Sequence, residues 1–258
     1  MNQPLLHSIV LGQGKPLLIL HGFLGMLDNW KTIGNQLAND GFQVHLIDLR
    51  NHGNSFHSDE FNYDVMADDI KKYSDSHQLN SCCILGHSMG GKVAMKVAVS
   101  YPNFVSKLVV VDIAPKTYPP HHGEILKGLS ALPLDSIQSR QEADEALAVY
   151  VAEKAVRQFL LKNLYRSNTG RFELKCNIEV LAKAEAKIGE NFSITDQYLG
   201  ETLFVRGENS GYIEDLDKLV IQNHFPKATL QTIASAGHWV HAENPKDFYN
   251  SVKLFLED

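Results

Sequence analysis

Several things are scarce in this sequence, and each scarcity excludes a class of protein. Only three cysteines occur in 258 residues, Cys82, Cys83 and Cys176, and no C-x-x-C pair is formed. That spacing supports neither a zinc ribbon nor a redox dithiol. Cys82 and Cys83 lie inside an apolar run, where cysteine acts as a small buried hydrophobe. There is no dense run of Lys or Arg, and the formal net charge is -6. A nucleic-acid partner, which calls for a basic face, is therefore not expected. No apolar stretch approaches the length of a membrane span. The N-terminal "MNQPLLHSIVLGQGKP" lacks a charged region followed by a long apolar core. Internal repeats and low-complexity segments are lacking too. The expectation is a cytoplasmic protein of a reducing compartment, with no membrane span. Its length suits one large α/β domain, or one domain with an insertion, and is enough to bury a core without disulfides.

What is present alternates. "PLLILHG" (16–22), "VHLIDL" (44–49), "CCILGHS" (82–88) and "KLVVVDIAP" (107–115) are short, nearly continuous apolar runs. Parallel strands covered by helices on both faces read this way. Helical periodicity lies between them, over about 30–39, 63–77 and 89–101. The rhythm returns near the end, with "ETLFVRGE" and "ATLQTIA" as strands and 245–256 as a closing helix. This is βαβ alternation around a mostly parallel sheet flanked by helices. Residues 117–195 break the pattern. They contain no convincing strand, and "SRQEADEALAVYVAEKAVRQFLLKNLYR" and "IEVLAKAEAKIG" are rich in helix formers. We expect a core domain from 1–116 and 196–258, with 117–195 inserted as a helical cap.

"CCILGHSMGGKV" (82–93) supports two incompatible chemistries. Begun at Gly86 it is one residue short of the phosphate loop G-x-x-x-x-G-K-[ST], with Lys92 in place and "LVVVD" (108–112) as a strand ending in a metal-binding Asp. Position 93 is Val, so the hydroxyl that would hold Mg²⁺ is missing, and a His-Ser-Met interior is a poor phosphate cradle. Centred on Ser88 it is G-x-S-x-G. A serine at a sharp strand-to-helix turn stands above the sheet, and Gly86 and Gly90 leave room where side chains would collide with strand and helix. Without further support Ser88 would only cap a helix.

That support lies elsewhere in the chain. A serine hydroxyl needs a base, and "ASAGHWVHAENP" supplies His238 between the last strand and the closing helix. His241 is its only nearby competitor, and His87 is expected to pack beneath the turn. "LILHGFLG" (18–25) ends a strand in His-Gly-Phe. The backbone N–H groups of Phe23 and Met89 would together form an oxyanion hole.

With HGFLG, "DLRNHGNS" (48–55), GHSMGG and AGHW in order, nearly the whole chain resembles the α/β-hydrolase superfamily. More narrowly, "HGFLGMLDNW", "DLRNHGNS", "GHSMGGKVAM" and "VVVDIAP" resemble the YbfF-type bacterial esterases, which are related to the mammalian abhydrolase-domain-11 proteins. The resemblance implies an α/β-hydrolase fold. It also implies esterase or thioesterase activity on a small-molecule acyl ester or thioester such as acyl-CoA, with no metal and no organic cofactor. The frequent acid position after the penultimate strand is held here by Asn209 and Ser210, which carry no charge. The narrower family uses the end of the strand after the nucleophile helix, and this implies Asp112, with Glu208 and Asp215 as alternatives. Asp48 also ends a strand, and nearby Arg50 suggests a structural ion pair for it. The expected function is a serine ester hydrolase acting through acyl-Ser88. The alternatives are a C–C bond hydrolase or peroxidase-like relative and, from another class, a nucleotide binder at Lys92 or a non-catalytic ligand-binding protein. Lys154, Arg157, Lys162 and Arg166 are either contacts for an anionic leaving group or a solvated helix face.

Overall fold

The computed structural model describes residues 4–257. Nine strands are formed among them: β1 Ser8–Leu11, β2 Lys15–Leu20, β3 Phe42–Ile47, β4 Cys82–His87, β5 Val105–Val111, β6 Leu164–Arg166, β7 Phe172–Leu174, β8 Glu201–Gly207 and β9 Ala228–Ile233. Seven of them make one sheet in the order β1-β3-β2-β4-β5-β8-β9. β1 is antiparallel to β3, and the other neighbours pair in parallel. The expected strands are all present. The edge strand β1 is an addition, too short and too exposed to announce itself by an apolar run.

The apolar runs are continuous because both faces of the sheet are covered. Leu18, Leu20, Ile84, Leu108 and Val110 point into one core. That core is shared with α2 (Tyr63–Ser76) and α3 (Met89–Ser100). Their sequence neighbours Leu17, Ile19, Leu85, Val109 and Val111 point into the other. Trp30, Leu37, Phe248 and Val252, on or beside α1 (Lys31–Asn39) and α11 (Pro245–Glu257), cover that second face. Alternate side chains of a strand leave on opposite faces, so a strand in the middle of such a sandwich has no polar side.

Between β5 and β8 lie α4 Gly123–Ser130, α5 Arg140–Leu147, α6 Lys154–Leu160, α7 Ile178–Lys183 and α8 Glu185–Ile188. The expectation that this stretch holds no strand needs correction, because β6 and β7 form a two-stranded antiparallel ribbon here. Its turn is closed by Gly170 at φ 81°, whose N–H donates to the Ser167 carbonyl. The long helical stretch of 139–166 is also divided. Val149-Tyr150-Val151, branched and aromatic, is a poor helix segment, and the helix stops before it. The Arg157 guanidinium stitches the gap, donating to the carbonyls of Val151 (3.0 Å) and Ala152 (2.8 Å) while pairing with Asp144. α9 Asp217–His224 and α10 Val240–Glu243 complete the helices.

The expected partner of Asp48 also needs correction. Arg50 pairs with Asp69 on α2, at 2.5 and 2.8 Å, and both residues are buried. Asp48 instead accepts from the Leu27 and Asn54 N–H groups and approaches His7 Nδ1. Burial pushes the Asp69 carboxyl up against the pull of Arg50, as in a pair whose desolvation rivals its attraction. Removing one partner leaves the other charge buried alone. Asp69→Ala is therefore expected to cost about 3–5 kcal/mol, read as a lower urea midpoint at unchanged m-value. A midpoint equal to wild type would show that water reaches Arg50.

Candidate active site

The C-terminal ends of the parallel strands gather Phe23, Ser88, Met89, Asp112 and His238. Phe23 follows β2, Ser88 follows β4, Asp112 follows β5 and His238 follows β9. This is where open parallel sheets carry their sites.

Ser88 sits at φ 53°, ψ -119° between β4 and α3. A non-glycine residue in that region is strained and persists only where its surroundings enforce it. Two glycines make it possible. A Cβ on Gly86 would lie 2.1 Å from the Gly90 carbonyl oxygen, and one on Gly90 2.4 Å from that of His21. The turn is tied down by Ser88 N–H donating to Val111 O (2.9 Å), and by Gly91 and Lys92 N–H donating to Ser88 O.

His238 Nε2 lies 3.0 Å from Ser88 Oγ, and its Nδ1 lies 2.7 Å from Asp112 Oδ2. Asp112 is fully buried and, like Ser88, held at positive φ. Its carboxylate accepts from Gly207 N–H (3.2 Å) and from the Ser210 hydroxyl. The other candidates stand elsewhere: Glu208 accepts from Ser235 N–H, and Asp215 pairs with Arg206 and Lys218. His241 stacks on Trp30, with centroids 4.0 Å apart, and has no approach to Ser88 Oγ among the hydrogen bonds of the described residues. His87 lies beneath the turn as expected, its Nε2 bound to the His238 carbonyl at 2.9 Å.

Two groups around the Asp112–His238 pair carry no site signature of their own in the sequence. Ser210 occupies the acid's more frequent position and reaches Asp112 from there; the signal was its place after the penultimate strand. Tyr212 stacks flat on the His238 ring at 3.8 Å and 16°, and no sequence pattern announces that contact.

Phe23 and Met89 flank Ser88, and among the described residues neither N–H meets an acceptor. Their loops are braced by two buried histidines. His52 Nε2 accepts from Leu24 N–H (3.2 Å) while its Nδ1–H donates to Arg50 O. His21 Nε2 accepts from Leu49 N–H (3.0 Å) while its Nδ1–H donates to Gly22 O. Each ring needs one bare nitrogen and so must stay neutral. Burial agrees, lowering His21 to about 4 and His52 to about 3.

Lys92 does not serve the loop it follows. Its Nζ is buried and donates to the carbonyls of Lys116 (2.9 Å), Gly189 (3.3 Å) and Glu190. It ties the start of the stretch between β5 and β8 to its end, and burial lowers it to about 7. An amino group held by three carbonyls is not offered to a phosphate.

Above Ser88 is a cavity of about 500 Å³. Its far wall is apolar and comes from the stretch between β5 and β8: Ile125, Val151, Val156, Phe159 and Leu160. Among the described residues no Lys or Arg lines it, and Glu153 is its one carboxylate. Arg157 is engaged with Asp144, and Arg166 with the carbonyls of Gly170 and Gln138.

A strained serine above a parallel sheet, in reach of an imidazole backed by a buried carboxylate, defines the class. The profile of the α/β-hydrolase fold matches residues 15–245, and the chain belongs to that family. Within it, the chain is 37% identical over 247 residues to the sn-1-specific diacylglycerol lipase ABHD11 of Mus musculus, covering 93% of this chain and 80% of the relative. It is 34% identical over 246 residues to esterase YbfF of Escherichia coli, covering 94% and 93%. A solved marine microorganism esterase superposes with a TM-score of 0.94 at 40% identity, covering 97% of this chain and 99% of the other. Among the described residues, no helix is long and apolar enough to cross a membrane.

The neutral histidines make the site's frame sensitive to acid. His21, His52 and His241 all sit well below the ordinary 6.5, with His241 at about 3. Below pH 6.5 the unfolded chain binds protons that the folded one refuses. Stability is therefore complete above about 6.5 and falls as pH drops toward 4, by up to about 1.4 kcal/mol per pH unit for each histidine. Urea midpoints measured from pH 7 to 5 should fall. His52→Gln keeps an acceptor for Leu24 and should flatten that slope by about one histidine's share. An unchanged slope would mean that His52 is charged in the folded protein.

Proposed function

We propose that the protein hydrolyses neutral carboxylic esters through an acyl-Ser88 intermediate. The observation that carries this reading is the unbroken chain Asp112–His238–Ser88, with distances of 2.7 and 3.0 Å, at the floor of an apolar cavity. The esterase and lipase names of its relatives support it.

Ser88 Oγ attacks the ester carbonyl as His238 Nε2 takes its proton. The new Oγ–C bond leaves an oxyanion, which the Phe23 and Met89 N–H groups receive. His238 returns the proton to the leaving alkoxide as the C–O bond breaks. A water, deprotonated by the same imidazole, then attacks the acyl-serine. The acid and Ser88 are released. Asp112 accepts from Nδ1–H, holds the tautomer that leaves Nε2 free, and stabilises the imidazolium. The Ser210 hydroxyl and the Gly207 N–H donate to that carboxylate and hold it in place. Residues 117–195 act as a cap that keeps bulk water from the acyl-enzyme and supplies the apolar wall.

A neutral ester fits better than acyl-CoA. The phosphates of CoA call for fixed cations, and among the described residues no Lys or Arg lines the cavity.

The test is hydrolysis of p-nitrophenyl acetate by wild type and Ser88→Ala. Turnover by wild type is expected, with a fall in kcat of at least about 10³-fold in the variant. Activity in Ser88→Ala within a few-fold of wild type would exclude the acyl-serine route.

A further inference from the structure

Ser88 faces two compartments of very different size. The larger is the 500 Å³ cavity, which His238 and Trp239 line and Met89 does not. The smaller is a slot with room of about 20 Å³, which Ser88, Met89 and Phe23 line and His238 does not. Its walls include Tyr63, Ile113, Tyr118 and Ile188.

We propose that the slot takes the acyl group and the large cavity takes the alcohol, so that the substrates are acetyl-sized esters of bulky apolar alcohols. This rests on the acyl-Ser88 reading and deepens it. The tetrahedral carbon carries four groups: Ser88 Oγ, the oxyanion, the leaving oxygen and the acyl carbon. The oxyanion lies toward the N–H groups of Phe23 and Met89. The leaving oxygen must lie beside His238 Nε2, because the proton taken from Ser88 has to reach it as the C–O bond breaks. The alcohol therefore extends into the compartment that His238 lines. The acyl chain leaves on the remaining side, past the oxyanion and toward Tyr63, Ile113, Tyr118 and Ile188. The slot offers about 20 Å³ against about 500 Å³ in the cavity, so the short group goes to the slot and the long one to the cavity.

The slot's walls are held against widening. Tyr63 Oη donates to Ile188 O (2.6 Å), and Tyr118 Oη accepts from Ala114 N–H (2.9 Å) while donating to Tyr212 O (2.6 Å). Lys92 Nζ, bound to Gly189 O, lies 5.1 Å from the Tyr118 ring centre and 5.8 Å from that of Tyr63. This gives the buried lysine a purpose outside the reaction: it locks the wall behind the acyl group. A methylene that does not fit a filled pocket costs roughly 10- to 200-fold in kcat/KM.

Two isomeric esters test the allocation without any variant. Hexyl acetate and ethyl hexanoate have the same atoms, with the long chain on the alcohol in one and on the acid in the other. Wild type is expected to hydrolyse hexyl acetate at least about tenfold faster in kcat/KM. Ile188→Ala, which keeps the carbonyl that Tyr63 uses, should raise the rate on ethyl hexanoate and leave hexyl acetate within a few-fold; Ile113→Ala, at another residue of the slot's lining, should do the same. Equal rates, or a preference for ethyl hexanoate, would overturn the allocation while Ser88-dependent hydrolysis stood. Hydrolysis of neither isomer and of no p-nitrophenyl acetate would remove the esterase reading and the allocation with it.

Discussion

The constraint on which the site depends is the backbone of Ser88. At φ 53° the chain leaves β4 and enters α3 within one residue. The turn lifts the hydroxyl above the sheet and exposes the N–H of Met89 at the helix start, where it has no partner within the helix. The geometry exists because β4 and α3 touch backbone to backbone at Gly86 and Gly90. The Ser88 hydroxyl and the Met89 N–H are thus two products of one bend, and neither can be moved without the other.

Around that bend the protein uses neutral polar groups where charges would be costly. His21, His52 and His87 are buried and held below the ordinary imidazole range by desolvation. His21 and His52 each bridge backbone groups of neighbouring loops, and His87 meets the His238 carbonyl. The one buried carboxylate at the centre, Asp112, is surrounded by donors: Gly207 N–H, the Ser210 hydroxyl and the imidazole of His238. A buried anion is tolerable when its lone pairs are filled in this way. Lys92 is the cationic counterpart. It is held by three carbonyls at both ends of the stretch between β5 and β8. A residue that at first suggests a phosphate loop is in fact a fastening between α3 and the two ends of that stretch.

Much of this was legible in one dimension, wherever the cause is local. Continuous apolar runs marked buried parallel strands, because each side of the sheet demands the same character. The glycines around Ser88 and the His-Gly-Phe after β2 marked strand-end turns, because those bends have few chemical solutions. The ribbon β6–β7 escaped notice because three-residue strands carry too few side chains to set a period. The break at 148–153 was hidden because helix formers surround it and the guanidinium of Arg157, from the next helix, satisfies its carbonyls.

The sequence by itself determined the sheet, the strained serine and the histidine that follows the last strand, since each is written in neighbouring residues. Only the tertiary structure set Asp112 rather than Glu208 or Asp215 against His238, paired Arg50 with Asp69 instead of Asp48, laid Tyr212 on His238, and divided the space around Ser88 into a slot and a cavity. Those outcomes depend on how far apart in space residues come to rest when they are distant in the chain. Burial selects such contacts through the cost of leaving a charge or a polar group unpaired, and that cost is assigned only once the layers have closed.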